Sequence, residues 1–206
     1  GQVTASLTEP EIFDITESQL TSIRDEFLDA DIFDGWFFSY DEIRVHNWDE
    51  SPDYGSTGEN LAFNFGTVKN QADAIDDDAL VMTWSDMFDP HHNAYESGDF
   101  YYLVNELWGG SWEGLPSDVI IFNWNSGNSQ VESTQFFADR GHEQVIAGYY
   151  DFGNYYTPDW LENVNGTPGI KGVMYTTWID DFSNMEDWST EVWGGCSFET
   201  STKDLS

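Results

Sequence analysis

Two adjacent carboxylates, Asp41 and Glu42, directly follow an apolar run of the chain. One carboxyl group of such a pair can protonate the leaving oxygen of a bond being cleaved, while the other orients or stabilises a charged neighbour. Strand side chains alternate between two faces, so both carboxylates reach one site only if the chain bends there. The same dipeptide occurs at residues 25–26 and 49–50. The position at a strand end is what makes Asp41 and Glu42 the candidate catalytic residues.

Four further apolar runs end with an aromatic residue that a carboxylate or amide follows closely. Aromatic ring faces stack on the C–H groups of sugar rings, and the neighbouring oxygens accept hydrogen bonds from sugar hydroxyls. The alternative is that these aromatics belong to the core, because they bury large areas. The repeated combination of ring and acceptor favours a sugar site. Together with Arg44, the candidate substrate-binding residues are Trp84, Asp86, Trp124, Asn125, Tyr149, Tyr150, Asp151, Trp178 and Asp180.

The segments that carry these residues are typical of buried parallel strands, which are nearly continuous apolar runs. The predicted strands lie in segments 35–42, 79–86, 119–125, 145–151 and 172–180. Helices are predicted around them in segments 16–28, 60–75, 132–140, 157–164 and 184–193. Alternating strands and helices imply right-handed parallel crossovers, and in such folds the site forms at the carboxyl ends of the strands.

The predicted fold class is α/β, a partial or reduced TIM (β/α) barrel with about five parallel strands. Residues 1–206 are predicted to form one domain, because no linker or low-complexity tract interrupts them. A partial barrel leaves two open strand edges, which favours irregular closure, an open sheet or pairing with another copy. The long aromatic connection at 87–116 is predicted to form part of the wall of the mouth.

The chain is strongly acidic, with 39 Asp and Glu against 6 Lys and Arg and a formal net charge of −33. Such a surface repels phosphate backbones and anionic lipid, so nucleic acid is not expected as a partner. The acidic residues are spread along the whole chain, as in a surface suited to high salt. Bound divalent cations and an acidic secreted environment are the alternatives.

No cofactor or metal is predicted. Cys196 is the only cysteine, which excludes an intrachain disulfide and a cysteine zinc site. His91 and His92, taken with Asp89 or His142, form no closed ligand set, and no glycine-rich phosphate loop follows a strand. No apolar stretch approaches the roughly 18 residues of a membrane span.

The chain resembles the catalytic barrel of the hexosaminidase-like glycoside hydrolases, the family 20-like group. The similar segments are 40–45, 84–90, 119–124, 147–151 and 174–178, and together they look like the second half of such a barrel. In that family an aspartate holds the 2-acetamido group of the substrate, and the adjacent glutamate acts as acid and then as base. The resemblance implies these roles for Asp41 and Glu42. It also implies a sugar subsite shaped by Trp84, Asp86, Trp124, Tyr149, Asp151 and Trp178.

Two departures accompany the resemblance. Residues 37–40 replace the family's usual histidine and glycines before the acidic pair, and the first three strands of a full barrel have no counterpart. One hypothesis is therefore a glycoside hydrolase that acts on amino-sugar-containing glycans by the substrate-assisted mechanism. The other is a catalytically inactive barrel descendant that binds glycan or self-assembles through its open strand edges. Glycan hydrolysis favours an extracellular location, with a salt-adapted cytoplasm as the alternative.

Overall fold

A computed structural model describes residues 5–28, 33–46, 54–125, 127–149, 157–176 and 178. Helices and strands alternate through much of this part of the chain. In chain order they are α1 (Pro10–Leu28), β1 (Gly35–Phe38), β2 (Val45–His46), α2 (Thr57–Ile75), β3 (Leu80–Trp84), β4 (Leu103–Val104), β5 (Ile120–Asn123), α3 (Gln130–Asp139), β6 (Gln144–Tyr149), α4 (Thr157–Asn163) and β7 (Ile170–Thr176).

Five strands form one parallel sheet in the order β1-β3-β5-β6-β7. The five predicted strands and their parallel pairing are confirmed. Each strand lies beside the next strand of this sheet along the chain, as in a barrel and unlike the reversed order of a doubly wound sheet. Among the described residues β1 and β7 are the two edges. The structure thus shows an α/β fold, and closure into a barrel stays a prediction.

The two faces of the sheet have different neighbours. Trp36, Val81 and Ile121 point toward the helices and share a buried core with Leu61 and Phe65 of α2. The intervening residues point to the other face, where the Phe37 ring lies 5.0 Å from that of Trp84 and 4.9 Å from that of Phe122. Phe37 remains 38% exposed. Because both faces of the sheet carry apolar side chains, the strands appear in the sequence as continuous apolar runs.

Four of the predicted helices are present, with shifted bounds. The chain starts α2 at Thr57 because Ser56 and Glu59 form a capping box that satisfies backbone N–H groups at the helix start. α1 begins at Pro10, six residues before the predicted start at Thr16. The helix predicted at 184–193 lies outside the described residues. None of the described helices combines the length and apolar character that a membrane span needs.

The connection from β3 to β5 contains two short 3₁₀ helices, Asp86–Phe88 and Ser111–Gly114, and the strand β4. β4 pairs in parallel with β2, away from the main sheet. In this ladder the Leu103 N–H donates to the Arg44 carbonyl oxygen at 2.9 Å. The pairing holds the aromatic connection against the segment that follows Asp41 and Glu42.

Candidate functional site

The candidate site begins where the chain leaves β1. Tyr40 fixes this exit, because its hydroxyl donates a 2.6 Å hydrogen bond to Asn64 Oδ1 of α2. Burial raises the pKa of Tyr40 well above its ordinary value, so the phenol stays a neutral donor. Asp41 and Glu42 follow at the carboxyl end of the edge strand, where the sequence predicts them.

The backbone bends at Glu42, which has a φ of +47°. A non-glycine residue in this left-handed region costs about 1–3 kcal/mol and persists only when its surroundings hold it. Two contacts hold Glu42. Its N–H donates to Asp86 Oδ2 at 2.9 Å, and its carboxylate forms an ion pair with Arg44. The bend that two adjacent carboxylates need in order to serve one site is therefore present.

Arg44 is held between the Glu42 carboxylate and an aromatic ring. Its guanidinium carbon lies 4.7 Å from the ring centroid of Tyr102, a cation–π distance. Tyr102 also has a φ of +47°, and within the described residues it and Glu42 are the two non-glycine residues with positive φ. Both strained residues contact the same guanidinium. Strained backbone concentrates at functional sites, so the two strained residues indicate a candidate functional site around Arg44.

Asp86 lies at the centre of the site and has no solvent exposure. Besides the Glu42 N–H, its carboxylate accepts hydrogen bonds from Asn93 Nδ2 at 2.9 Å and Trp124 Nε1 at 3.0 Å. Burial raises its pKa to about 7, and the nearby charge of Asp41 raises it too, whereas the three donors oppose this rise. Asp86 thus joins the segments that follow β1, β3 and β5.

Trp124 is the aromatic side chain that best fits a sugar platform. It is partly exposed, and its indole N–H is fixed by Asp86. The His92 ring packs against it, with centroids 4.3 Å apart. Burial lowers the pKa of His92 to about 4, so this imidazole is neutral at pH 7. A rigid, partly exposed ring of this kind presents a face on which a sugar can stack.

A second buried carboxylate, Asp89, lies beneath the site. It accepts hydrogen bonds from Ser133 Oγ at 2.6 Å, the His91 N–H at 2.8 Å and Asn125 Nδ2 at 3.3 Å. Burial raises its pKa. This cluster ties α3 to the segments that follow β3 and β5.

The predicted site residues separate into three groups. Asp41, Glu42, Arg44, Asp86 and Trp124 come together at the carboxyl ends of neighbouring strands. Trp84, Asn125 and Trp178 occupy other environments. The third group lies outside the described part of the structure and consists of Tyr150, Asp151, Asp180 and the side chain of Tyr149.

Three predicted sugar-binding side chains have other surroundings. Trp84 packs between Phe37 and Phe122 on the sheet face, because strand alternation turns it away from the helices. Asn125 is 2% exposed and its amide contacts Asp89 and the His91 carbonyl, so the side chain supports the loop instead of facing a ligand. Trp178 is 77% exposed. Asp86, the predicted acceptor for a sugar hydroxyl, accepts hydrogen bonds from protein donors on both of its oxygens.

Sequence reasoning missed Asn93, Tyr101 and Tyr102 as individual site residues. Tyr101 lies in the field of Glu42 and Asp86, which adds to the effect of burial in raising its pKa. The length and aromatic content of segment 87–116 were the available signal. They pointed to this connection but not to the particular side chains. The pairing of β2 with β4 places Tyr101 and Tyr102, whereas Asn93 is placed by the turn after the first 3₁₀ helix, where its N–H donates to the Asp86 carbonyl oxygen.

A cleft of about 330 Å³ lies beside the same connection, lined by Ser56, Glu96, Phe100, Glu106, Leu107 and Gly109. Glu106 is engaged there, because it accepts a 2.6 Å hydrogen bond from the Thr57 N–H at the start of α2. No three His, Cys, Asp or Glu side chains in the described ranges are grouped as a metal site would require.

The site therefore presents two partly exposed carboxylates, Asp41 and Glu42, beside a cation and two aromatic rings. The Glu42 side chain is 39% exposed and that of Arg44 is 32% exposed. A carboxylate in this position can exchange a proton with a bound ligand, and the rings of Tyr102 and Trp124 can border that ligand. No protein-family model matches the chain, and no curated protein matches it significantly in sequence.

Proposed function

We propose that the protein is a glycoside hydrolase that acts on amino-sugar-containing glycans, with Glu42 as general acid and base and Asp41 as the stabilising carboxylate. The observation that carries this proposal is the position of Glu42. Its half-exposed carboxylate lies at the carboxyl end of a parallel strand, on a strained residue, with Arg44 beside it. This is where an α/β fold builds its site and where backbone strain concentrates.

In the proposed reaction the substrate supplies its own nucleophile. The oxygen of the 2-acetamido group attacks the anomeric carbon while the glycosidic bond breaks, and the Glu42 carboxyl group transfers its proton to the leaving oxygen. Asp41 orients the amide and stabilises the positive charge that develops on it. Water then opens the cyclic intermediate, giving its proton to the Glu42 carboxylate and restoring the starting state.

The charge distribution of the chain supports a neutral or cationic substrate over an anionic one. All five Lys and Arg side chains of the described residues form ion pairs. Before a ligand binds, each Lys and Arg of this part of the chain is thus already paired with a carboxylate, which disfavours a phosphate, sulfate or uronate group. A net charge of −33 adds long-range repulsion of anionic glycans.

The second candidate is an inactive descendant that binds glycan or self-assembles. The ion pair between Glu42 and Arg44 favours this candidate, because it engages the carboxylate that would have to meet the leaving oxygen of a substrate. Within the described ranges β1 and β7 are the edges of the sheet, which favours assembly, because sheet edges accept further strands. For the hydrolase, substrate binding must displace Arg44 from Glu42.

The deciding experiment measures release of chromophore from aryl N-acetyl-glucosaminide and N-acetyl-galactosaminide in high salt. Glu42→Gln should lower kcat by about a hundredfold or more, since general acid–base catalysis typically contributes that much. Glu26→Gln is the matched control, because Glu26 ends the same Asp-Glu dipeptide at an exposed position of α1. This variant should retain the wild-type rate. If folded wild-type protein releases no more chromophore than Glu42→Gln, the hydrolase proposal is contradicted for these substrates and the binding role is favoured.

A further inference from the structure

One buried carboxylate, that of Asp86, joins the segments that follow the strands β1, β3 and β5. We infer that Asp86 is a positioning residue for Glu42: it fixes the strained backbone of Glu42 and ties it to the aromatic platform Trp124. The catalytic part of this inference rests on the proposed function, since it assigns Asp86 a role in aligning the proposed acid and base. The hydrogen-bonding part can be tested without any activity.

The contacts of Asp86 exclude a direct role with substrate. The side chain has no solvent exposure, and its two oxygens are both used by protein donors. Oδ1 accepts from Trp124 Nε1, and Oδ2 accepts from the Glu42 N–H and from Asn93 Nδ2. Because this carboxylate is fully buried, a sugar hydroxyl has no path to it.

The consequence for Glu42 follows from its backbone conformation. At a φ of +47° the Glu42 N–H is turned away from the pairing that an extended strand residue would make. A carboxylate acceptor gives this amide a charge-assisted hydrogen bond, which is stronger than a bond to a neutral oxygen. Without that acceptor the backbone is free to relax to the extended region, and the Glu42 carboxylate then points elsewhere.

Asp86 also couples the proposed acid and base to the surface on which a sugar would stack. The same carboxylate holds the Glu42 amide and the Trp124 indole, so the distance between the reacting group and the platform is set by one side chain. A misplacement of about 1 Å can cost a hundredfold in rate. Loss of Asp86 should therefore impair alignment more than affinity.

Asp89 provides a matched control within the same loop. It lies three residues after Asp86, is also buried and also accepts three hydrogen bonds, from Ser133, Asn125 and the His91 N–H. None of these donors belongs to the segment that follows β1. Asp89→Asn thus reproduces the general cost of removing a buried carboxylate while leaving the Glu42 contact intact.

The kinetic test compares Asp86→Asn with Asp89→Asn in the full chain. Asp86→Asn should lower kcat about tenfold to a hundredfold with KM changed less than about threefold, and should shift the pH profile that Glu42 sets. Asp89→Asn should keep the wild-type pH profile and a kcat within about threefold of wild type. A rise in KM alone for Asp86→Asn, or equal effects of the two substitutions on kcat and pH profile, would overturn the inference.

A second measurement needs neither activity nor a variant. In isotope-labelled wild-type protein, NMR should detect a scalar coupling across the hydrogen bond from the Glu42 amide nitrogen to the Asp86 Cγ. The Glu42 amide should also exchange slowly with solvent. An absent coupling together with rapid exchange would overturn the inference. If wild type hydrolyses nothing but the coupling is present, the proposed function fails while the assignment of Asp86 as the anchor of Glu42 stands.

Discussion

The left-handed backbone at Glu42 explains how two adjacent carboxylates can serve one site. The position of Asp41 and Glu42 after a strand could be predicted from the sequence, and the structure places this pair beside Asp86 and Arg44. Their catalytic roles stay a prediction. The role of Asp86 could not be predicted in this way. Its partners are a main-chain N–H and two side chains from distant segments, and only the folded chain brings these donors together.

Asp86 should make stability depend on pH. Its folded pKa of about 7 lies above the ordinary value of 3.8, so the folded state binds the proton more tightly than the unfolded state. This contribution to stability is complete below about pH 4 and is lost as pH rises through 7. The free energy of unfolding of wild type minus that of Asp86→Asn should therefore decrease between pH 4 and 8, by on the order of 4 kcal/mol.

Urea unfolding in high salt at a series of pH values measures this difference. Subtracting the variant removes the contributions of the other carboxylates, which the two proteins share. A difference that stays constant from pH 4 to 8 would show that the three donors to Asp86 cancel the effect of its burial.

At the scale of elements, the strands were easier to predict than their surroundings. The five strands of the main sheet are apolar on both faces and stand out as continuous runs. The ladder of β2 and β4 has two residues in each strand, too few to show any periodicity. Yet this ladder brings Tyr102 to Arg44, so part of the site depends on an element that leaves no pattern in the sequence.

The start of α2 should depend on its capping box. Ser56→Ala removes the acceptor for the Glu59 N–H and should lower the free energy of unfolding by about 1 kcal/mol. Ser129 precedes α3 in the same position, but its side chain makes no capping hydrogen bond. Ser129→Ala is therefore the control and should cost clearly less. Equal losses in urea unfolding would contradict a specific role for the capping box.

Two glycines where α2 meets the 3₁₀ helix Ser111–Gly114 should respond in opposite directions to the same substitution. A Cβ on Gly114 would lie 2.3 Å from the Ala62 carbonyl oxygen, so Gly114→Ala must displace α2 and should cost about 1–3 kcal/mol. A Cβ on Gly66 would meet only the Gly114 carbonyl oxygen at 3.9 Å. Gly66→Ala should stabilise the helix by up to about 1 kcal/mol. Thermal unfolding that shifts in the same direction for both variants would contradict this packing.

At the scale of the whole molecule, the main feature is the large excess of negative charge. Six ion pairs of the described residues engage five basic side chains, since Lys69 pairs with both Asp73 and Asp118, while the full chain carries 39 acidic residues. The excess carboxylates repel one another more strongly in the folded state, where they are closer together. Composition alone is enough to predict the sign of this repulsion, because the sign depends on the number of charges and not on their arrangement.

Stability should therefore rise steeply with ionic strength and then level off. The Debye length falls from about 10 Å at 0.1 M to about 3 Å at 1 M, so screening of the repulsion is nearly complete at molar salt. Potassium chloride and potassium sulfate at matched ionic strength separate screening from salt exclusion, because sulfate also strengthens apolar burial. Screening predicts that the two Tm curves coincide up to about 0.5 M and flatten together. If Tm instead keeps rising, and sulfate raises it far more than chloride at every ionic strength, then salt stabilises the fold mainly through apolar burial and hydration. In that case repulsion among the carboxylates does not limit stability.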